Sequence, residues 1–147
     1  MKFFLAIAVM AAGGFSAMQL GMNAQLRHSF GHGMVGALIN FLVGTVALTT
    51  LVLLARLPLP TVAIVKEVPS WAWLGGILGA VIVTTTAIAG RELGALYIAA
   101  LIVSGQLLMS LVLDHFGWFG LPVRPFTMAK AIGSVLLVVS LILFKES

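Results

Sequence analysis

Polar side chains that could bind a ligand recur inside apolar segments of this 147-residue chain. Gln106 is the clearest case, because it follows Gly105 within a long apolar run that begins at Leu93. An amide in hydrocarbon loses its water partners, so it must face protein or a wet cavity. Gln106, Ser110 and Asp114 are spaced four apart and therefore lie along one stripe of a helix. Such a stripe can bind a ligand through hydrogen bonds.

The other apolar runs carry similar groups at a shared depth. With a rise of about 1.5 Å per residue, Gln19 and Asn40 fall in the same third of the membrane, and Gln106 lies nearer the opposite face. Each amide could instead serve helix-to-helix hydrogen bonding without any substrate. A polar layer drawn from several helices favours a cavity. The predicted substrate-binding residues are Gln19, Asn23, Asn40, Thr85, Tyr97 and Gln106.

The titratable residues suggest proton coupling rather than catalysis. Asp114 and Glu92 are the candidates for proton coupling, although Asp114 at a helix end could simply anchor the interface or pair with Arg124. His28 and His32 are four apart, but no third ligand is near, so we predict no metal site. The sequence shows neither a nucleotide-binding glycine motif nor a catalytic triad pattern. We therefore expect no enzymatic activity and no cofactor.

Composition places all these residues in a membrane protein. Hydrophobic residues make up 61% of the chain and charged residues 8%, whereas a soluble domain carries about 25% charged residues. The net charge of +4 is scattered between apolar runs, and nucleic-acid binding needs a clustered basic face. Cysteine is absent, which excludes disulfides and thiolate chemistry. The chain must be an integral membrane protein in contact with a lipid bilayer.

Five apolar runs separated by turn residues predict an all-α protein with five transmembrane helices, short loops and a single domain over residues 1–147. Cleavage of the first run as a signal peptide is disfavoured, because a cut after Ala17 would put Phe15 where a small residue is required. The predicted spans are residues 3–26, 34–54, 71–89, 93–113 and 128–144.

Small residues and turn residues predict how these helices pack and begin. Gly13, Ala17 and Gly21 form a stripe suited to close packing, and Gly36 and Gly44 form another on either side of Asn40. A short polar turn is expected over residues 27–33, and a short interfacial helix over residues 61–68. Thr127 is the expected N-cap of the last span.

The order of several motifs resembles a known family. The motifs are Gly14-Phe15 with Gln19, Asn23-Ala24, Ala37-Leu38-Ile39-Asn40-Phe41 with Gly44-Thr45, Trp73-Leu74-Gly75-Gly76 with Gly79, Gly105-Gln106, and Asp114-His115-Phe116-Gly117 followed by Gly120. Over nearly its whole length the chain resembles the YdcZ family of inner-membrane exporters, within the drug/metabolite transporter superfamily. Where that family commonly has serine before Phe41, this chain has Asn40.

The resemblance implies a bacterial inner-membrane protein that is a five-helix half-transporter. Such a unit would work as a homodimer, most simply an antiparallel one with dual topology, that exports a small-molecule substrate. The related small multidrug resistance transporters carry a glutamate in the first helix, whereas this chain has Gln19 and no acid at mid-membrane. The alternative is a non-transporting assembly factor or passive pore, which glycine-rich faces and the lack of a buried charge favour.

The predicted count of five spans places the two termini on opposite sides of the membrane. Reporter fusions at Lys2 and Ser147 should therefore localise oppositely. A slight excess of basic residues on the N-terminal side predicts a cytoplasmic N-terminus, with some chains inserted the other way. Dual insertion would place each reporter on both sides of the membrane across the population. Both reporters on the same side of one molecule would contradict five spans.

Overall fold

The computed structural model describes residues 1–145 of the chain, and these are helical without any strand. The helices are α1 (Lys2–Phe30), α2 (Gly33–Leu54), α3 (Val62–Glu67), α4 (Leu74–Ala89), α5 (Ala95–Phe116) and α6 (Met128–Lys145), with 3₁₀ turns at Ser70–Trp73 and Trp118–Gly120. Within the described residues, five helical segments are long and apolar enough to cross a membrane. The predicted all-α membrane fold is confirmed.

Helix α1 extends beyond the residue where the sequence suggested its end. It continues to Phe30 and stops where Gly31 adopts a left-handed backbone with φ 78°. Arg27 and His28 therefore lie in its last turn rather than in a loop. Only Gly31 and His32 remain to connect α1 with α2. The short helix expected over residues 61–68 is present as α3, where Thr61 Oγ1 accepts a hydrogen bond from Ile64 N at 3.5 Å. Its interfacial location stays a prediction.

The chain divides into two compact units, Met1–Glu92 and Leu93–Ser147. In the first unit, α1, α2 and α4 each pack against the other two. In the second unit, α5 packs against α6. The single five-helix domain expected from the sequence stays a prediction.

Burial in the first unit is confined to one end, which we call the apex. There the second half of α1, the start of α2 and the last turn of α4 meet. Residues 1–19 of α1 and 41–51 of α2 are exposed. Away from the apex the three helices leave open surfaces, although α2 still meets α4 at Gly79, where a Cβ atom would lie 3.3 Å from Phe41 Cζ. The buried apex residues are Leu20, Asn23, Gly33, Gly36, Ala37, Thr86 and Ala87.

Gly36 lets the backbones of α1 and α2 come close at the apex. A Cβ atom on Gly36 would lie 3.1 Å from Arg27 N and 3.3 Å from the carbonyl carbon of Leu26. Backbone atoms inside a helix cannot move aside as a flexible side chain can. Only a residue without a side chain therefore fits this contact without displacing one helix.

Within the first unit, the stripe Gly13, Ala17 and Gly21 packs against no other helix. All three residues are exposed, and a Cβ atom on Gly13 or Gly21 would meet nothing within 4 Å. The packing interface suggested by this stripe therefore stays a prediction. Spacing places small residues on one face of a helix, but it cannot say whether another helix reaches that face.

A polar contact also joins α1 to α4 at the apex. Arg27 Nη1 donates a hydrogen bond of 2.8 Å to the carbonyl oxygen of Ile88. Ile88 lies in the last turn of α4, where carbonyl groups have no partner within the helix. The positive guanidinium also interacts favourably with the partial negative charge of that helix end.

In the second unit, a small polar network closes the connection between α5 and α6. Arg124 N donates to Asp114 O at 2.7 Å, and Lys130 Nζ donates to Arg124 O at 3.3 Å. Lys130 Nζ also lies 3.6 Å from Asp114 Oδ2. Thr127 Oγ1 accepts from Lys130 N at 3.4 Å, which confirms the predicted N-cap. The loop is thus held at its start, its middle and its end.

Gly117 turns the chain from α5 into an aromatic loop. Its backbone is left-handed, with φ 64°, and a Cβ atom there would lie 2.7 Å from Val123 Cγ2. The rings of Phe116 and Trp118 then stack with centroids 5.4 Å apart. Aromatic rings of this kind suit the membrane–water interface.

The Gly36 contact predicts a stability difference between two alanine substitutions on α2. Gly36→Ala should destabilise the folded protein by about 1–3 kcal/mol, because the new methyl group meets the backbone of α1. Gly44→Ala is the matched control, since a Cβ atom on Gly44 meets nothing within 4 Å. Its stability should stay equal or rise slightly. Thermal unfolding in detergent measures both, and equal unfolding temperatures would contradict the close backbone contact.

Candidate functional site

An open groove of about 440 Å³ lies against α1 in the first unit and contains two of the predicted amides, Gln19 and Asn40. We call it the amide groove. Most of its lining comes from one face of α1, at helical spacings of three and four, and α2 contributes Asn40. The lining residues are Ala12, Phe15, Ser16, Met18, Gln19, Met22 and Asn40.

The amide groove combines free hydrogen-bonding groups with soft apolar walls. Gln19 and Asn40 make no side-chain hydrogen bond within residues 1–145, so both amides can still donate and accept. Met18 and Met22 adapt their shape readily, and Phe15 offers an aromatic face. None of the lining residues carries a charge. The groove therefore suits a partly apolar molecule with hydrogen-bonding groups.

Asn23 lies one helical turn beyond Gln19 and is the most deeply buried of the predicted amides. It is 2% exposed, and its Oδ1 atom has no hydrogen-bond partner within the described part of the chain. Leaving a buried acceptor unpaired costs about 1–3 kcal/mol. Native proteins tolerate such groups where an ordered water, a ligand or another conformation satisfies them. Asn23 is thus a predicted site residue that is buried and has no partner for its side-chain oxygen within the first unit.

Thr85 belongs to a different groove, of about 460 Å³, between α2 and α4. Neither Gln19 nor Asn40 is part of its lining. The neighbouring Thr86 is buried, and its Oγ1 donates to Val83 O at 3.1 Å, a local bond that accounts for this hydroxyl. The lining residues are Met34, Ala37, Leu38, Phe41, Ile77, Ala80, Val81, Thr84 and Thr85.

Tyr97 and Gln106 lie on α5 in the second unit. Tyr97 is half-buried, whereas Gln106 is exposed on the single chain. Neither side chain forms a hydrogen bond within residues 1–145. A groove of about 280 Å³ between α5 and α6 includes neither residue, and Ser104 and Ser140 are its polar members. The second unit on its own therefore leaves the amide of Gln106 unsatisfied.

Asp114 and Glu92, the predicted coupling residues, have different surroundings. Asp114 pairs with Lys130 at 3.6 Å. The expected pairing with the Arg124 side chain is not found, because only the backbone of Arg124 contacts Asp114. Glu92 is exposed in the turn after α4, where its N–H donates to Ala89 O at 3.0 Å. Neither carboxylate lines the amide groove.

Sequence reasoning missed several residues of these sites. Phe15, Met18 and Met22 were not predicted to line a binding site, although Phe15 and Met22 share the helix face of Gln19. That shared face was the available signal. Lys130 was missed as the partner of Asp114 because it lies sixteen positions further along, across a loop whose path sequence alone does not reveal.

Comparison with known proteins assigns the chain to a family. A family model described as "Putative inner membrane exporter, YdcZ" matches residues 4–143. No curated protein and no solved structure matches the chain. The match covers almost the full length and agrees with the five apolar helices. The chain therefore belongs to the YdcZ family of inner-membrane exporters and is a multi-pass protein of the inner membrane.

Proposed function

We propose that this protein exports a small molecule by alternating access and that the amide groove is half of its substrate site. The observation that carries the proposal is that two amides without a hydrogen-bond partner, Gln19 and Asn40, line one open groove at the side of α1. Amides in hydrocarbon need a partner. A passing substrate with hydrogen-bonding groups can supply that partner where the protein does not.

The exposure of Gln106 supports an antiparallel homodimer. A single chain leaves this amide exposed on a helix that is apolar enough to span the membrane. Many transporters place the substrate site between two inverted halves. Inversion of a second chain exchanges the two depths, so Gln106 of one copy would lie level with Gln19 and Asn40 of the other. A parallel dimer would leave Gln106 at a different depth from both.

Three amides then hydrogen-bond the substrate, and the other predicted residues support them. Gln19, Asn40 and Gln106 are the direct contacts in this proposal. Asn23, Thr85 and Tyr97 support these three contacts. The unpaired Oδ1 of Asn23 remains available to a water molecule, or to the substrate in a second conformation. Such groups bind a neutral or weakly polar molecule more readily than a strongly charged one.

The packing of the first unit suits a rocking motion. Its helices contact one another mainly at the apex, where Gly36 brings two backbones together. The opposite ends of α1 and α2 are exposed, so their movement breaks few contacts within the unit. The apex can therefore act as the pivot about which access to the groove changes sides.

Proton coupling through Asp114 or Glu92 is part of the same proposal, although neither carboxylate lines the amide groove. Asp114 is paired with Lys130, so it would have to release this lysine before it could take up a proton. Glu92 forms no ion pair within residues 1–145 and is exposed. Both would act by changing the conformation rather than by touching the substrate.

A passive pore or a non-transporting assembly factor is the competing function. The uncharged lining of the amide groove and the glycine contact at the apex are compatible with it. Reconstitution into liposomes separates the two functions. An exporter gives saturable transport driven by a gradient, whereas a pore gives an unsaturable leak and an assembly factor gives no flux.

Gln106→Ala should abolish saturable transport while the folded dimer persists. The amide would be lost from the substrate site, but hydrogen bonds inside membranes contribute on average only about 0.6 kcal/mol to stability. The substrate for this measurement is first identified by thermal stabilisation against a panel of metabolites and drugs. Flux is then measured in liposomes, with the oligomeric state checked in detergent.

Gln25→Ala is the matched control for this experiment. Gln25 is also an exposed amide in a spanning helix, but it does not line the amide groove. Transport by this variant should equal that of the wild type. Normal transport by Gln106→Ala, or failure accompanied by loss of the dimer, would show that Gln106 is not a substrate contact.

Asn23→Leu should reduce transport without lowering the thermal stability of the protein. The substitution keeps a similar volume and removes a buried acceptor that the described chain leaves unpaired. Leu20→Met is the control, because it alters another buried side chain of the apex without changing its polarity. Unfolding in detergent and flux in liposomes are the two measurements. A clear loss of stability in Asn23→Leu would assign Asn23 a structural hydrogen bond instead.

A further inference from the structure

A small polar pocket of about 180 Å³ lies at the end of the apex in the first unit. We call it the arginine pocket, and it is lined by Arg27, His28, Gly31 and Arg91. Arg27 and His28 lie in the last turn of α1, Gly31 directly follows that helix, and Arg91 lies in the turn after α4. Neither the export activity nor the amide groove accounts for it.

The two arginines in this pocket have no acidic partner. The Asp114–Lys130 contact is the one ion pair among residues 1–145, so neither Arg27 nor Arg91 is neutralised by a carboxylate there. Two positively charged arginines that line one small pocket repel each other, and an anion between them removes that repulsion. The pocket therefore favours a negatively charged ligand.

Arg27 is already held in position for such a ligand. Its Nη1 atom donates to Ile88 O at 2.8 Å, which restrains the guanidinium. A guanidinium has five N–H donors, so several remain for a second acceptor. A guanidinium can donate two parallel hydrogen bonds to two oxygen atoms of a phosphate group. Its recognition of phosphate is therefore more directional than that of a lysine ammonium.

The position of the pocket along α1 indicates which phosphate it would meet. Helix α1 has 29 residues, which corresponds to a length of roughly 43 Å. The hydrocarbon core of a bilayer is only about 30 Å thick. The last turn of α1, with Arg27 and His28, therefore reaches the layer of lipid headgroups.

We propose that the arginine pocket binds the phosphate headgroup of an anionic phospholipid and so ties the apex to the membrane interface. A simpler account is that cations near helix ends offset the helix dipole, as Arg27 does at the end of α4. That account does not require Arg27 and Arg91 to converge on one pocket. It also predicts no preference among lipids, which makes the two accounts distinguishable.

The experiment titrates purified protein in a neutral detergent with phosphatidylglycerol or phosphatidylcholine and counts bound lipids by native mass spectrometry. The wild type should bind phosphatidylglycerol in preference to phosphatidylcholine. Arg91→Gln should weaken phosphatidylglycerol binding roughly fivefold, since one arginine near a membrane surface contributes about 1 kcal/mol. Its unfolding temperature without lipid should equal that of the wild type, because the Arg91 side chain forms no hydrogen bond within residues 1–145.

Arg124→Gln is the matched control, an exposed arginine in the loop of the second unit whose backbone contacts the substitution preserves. It should bind phosphatidylglycerol as the wild type does. Equal affinity of the wild type and Arg91→Gln, an equal loss in Arg124→Gln, or equal binding of both lipids would overturn the proposal. Displacement of the lipid by millimolar inorganic phosphate would show that the pocket takes a free anion, which would also overturn the lipid assignment.

Discussion

The contact between Gly36 and the backbone of α1 is the constraint on which the first unit depends. A Cβ atom at this position would lie 3.1 Å from Arg27 N, so α2 can approach α1 only because Gly36 has no side chain. At the same end of α1, Arg27 also donates a hydrogen bond to Ile88 O of α4. Since apolar side chains gain nothing by leaving lipid for protein, such close contacts and polar bonds must hold the helices together.

Because burial in the first unit is confined to the apex, the polar residues of α1 have different surroundings along the helix. Along this helix, Gln19 lies in an open groove, Asn23 is buried without a partner for its Oδ1, and Arg27 bonds to α4. Three residues of one stripe thus have three different environments within three helical turns. In our two proposals, the substrate binds in the amide groove and the lipid in the arginine pocket, so both act on the helices that meet at the apex.

Much of the fold could be predicted from the sequence because the relevant forces are local. Membrane crossing depends on the hydropathy of about 20 consecutive residues, and all five spans were recognisable on that basis. The cap at Thr127 depends on a hydroxyl three residues before an N–H group, which spacing reveals directly. The motifs that resemble the YdcZ family could likewise be recognised from their order along the sequence, and the family model matches residues 4–143.

What the sequence alone determined, then, is the membrane class, the spans and the residue types available for hydrogen bonding. Tertiary structure decided which of those residues meet. It brought Gln19 and Asn40 into one groove, and it made Gly36 a contact while leaving Gly13 and Gly21 open. It also paired Asp114 with Lys130 rather than with the side chain of Arg124. The physical reason is that helical periodicity orders residues on the faces of one helix, whereas the choice of facing helix depends on the packing of distant segments.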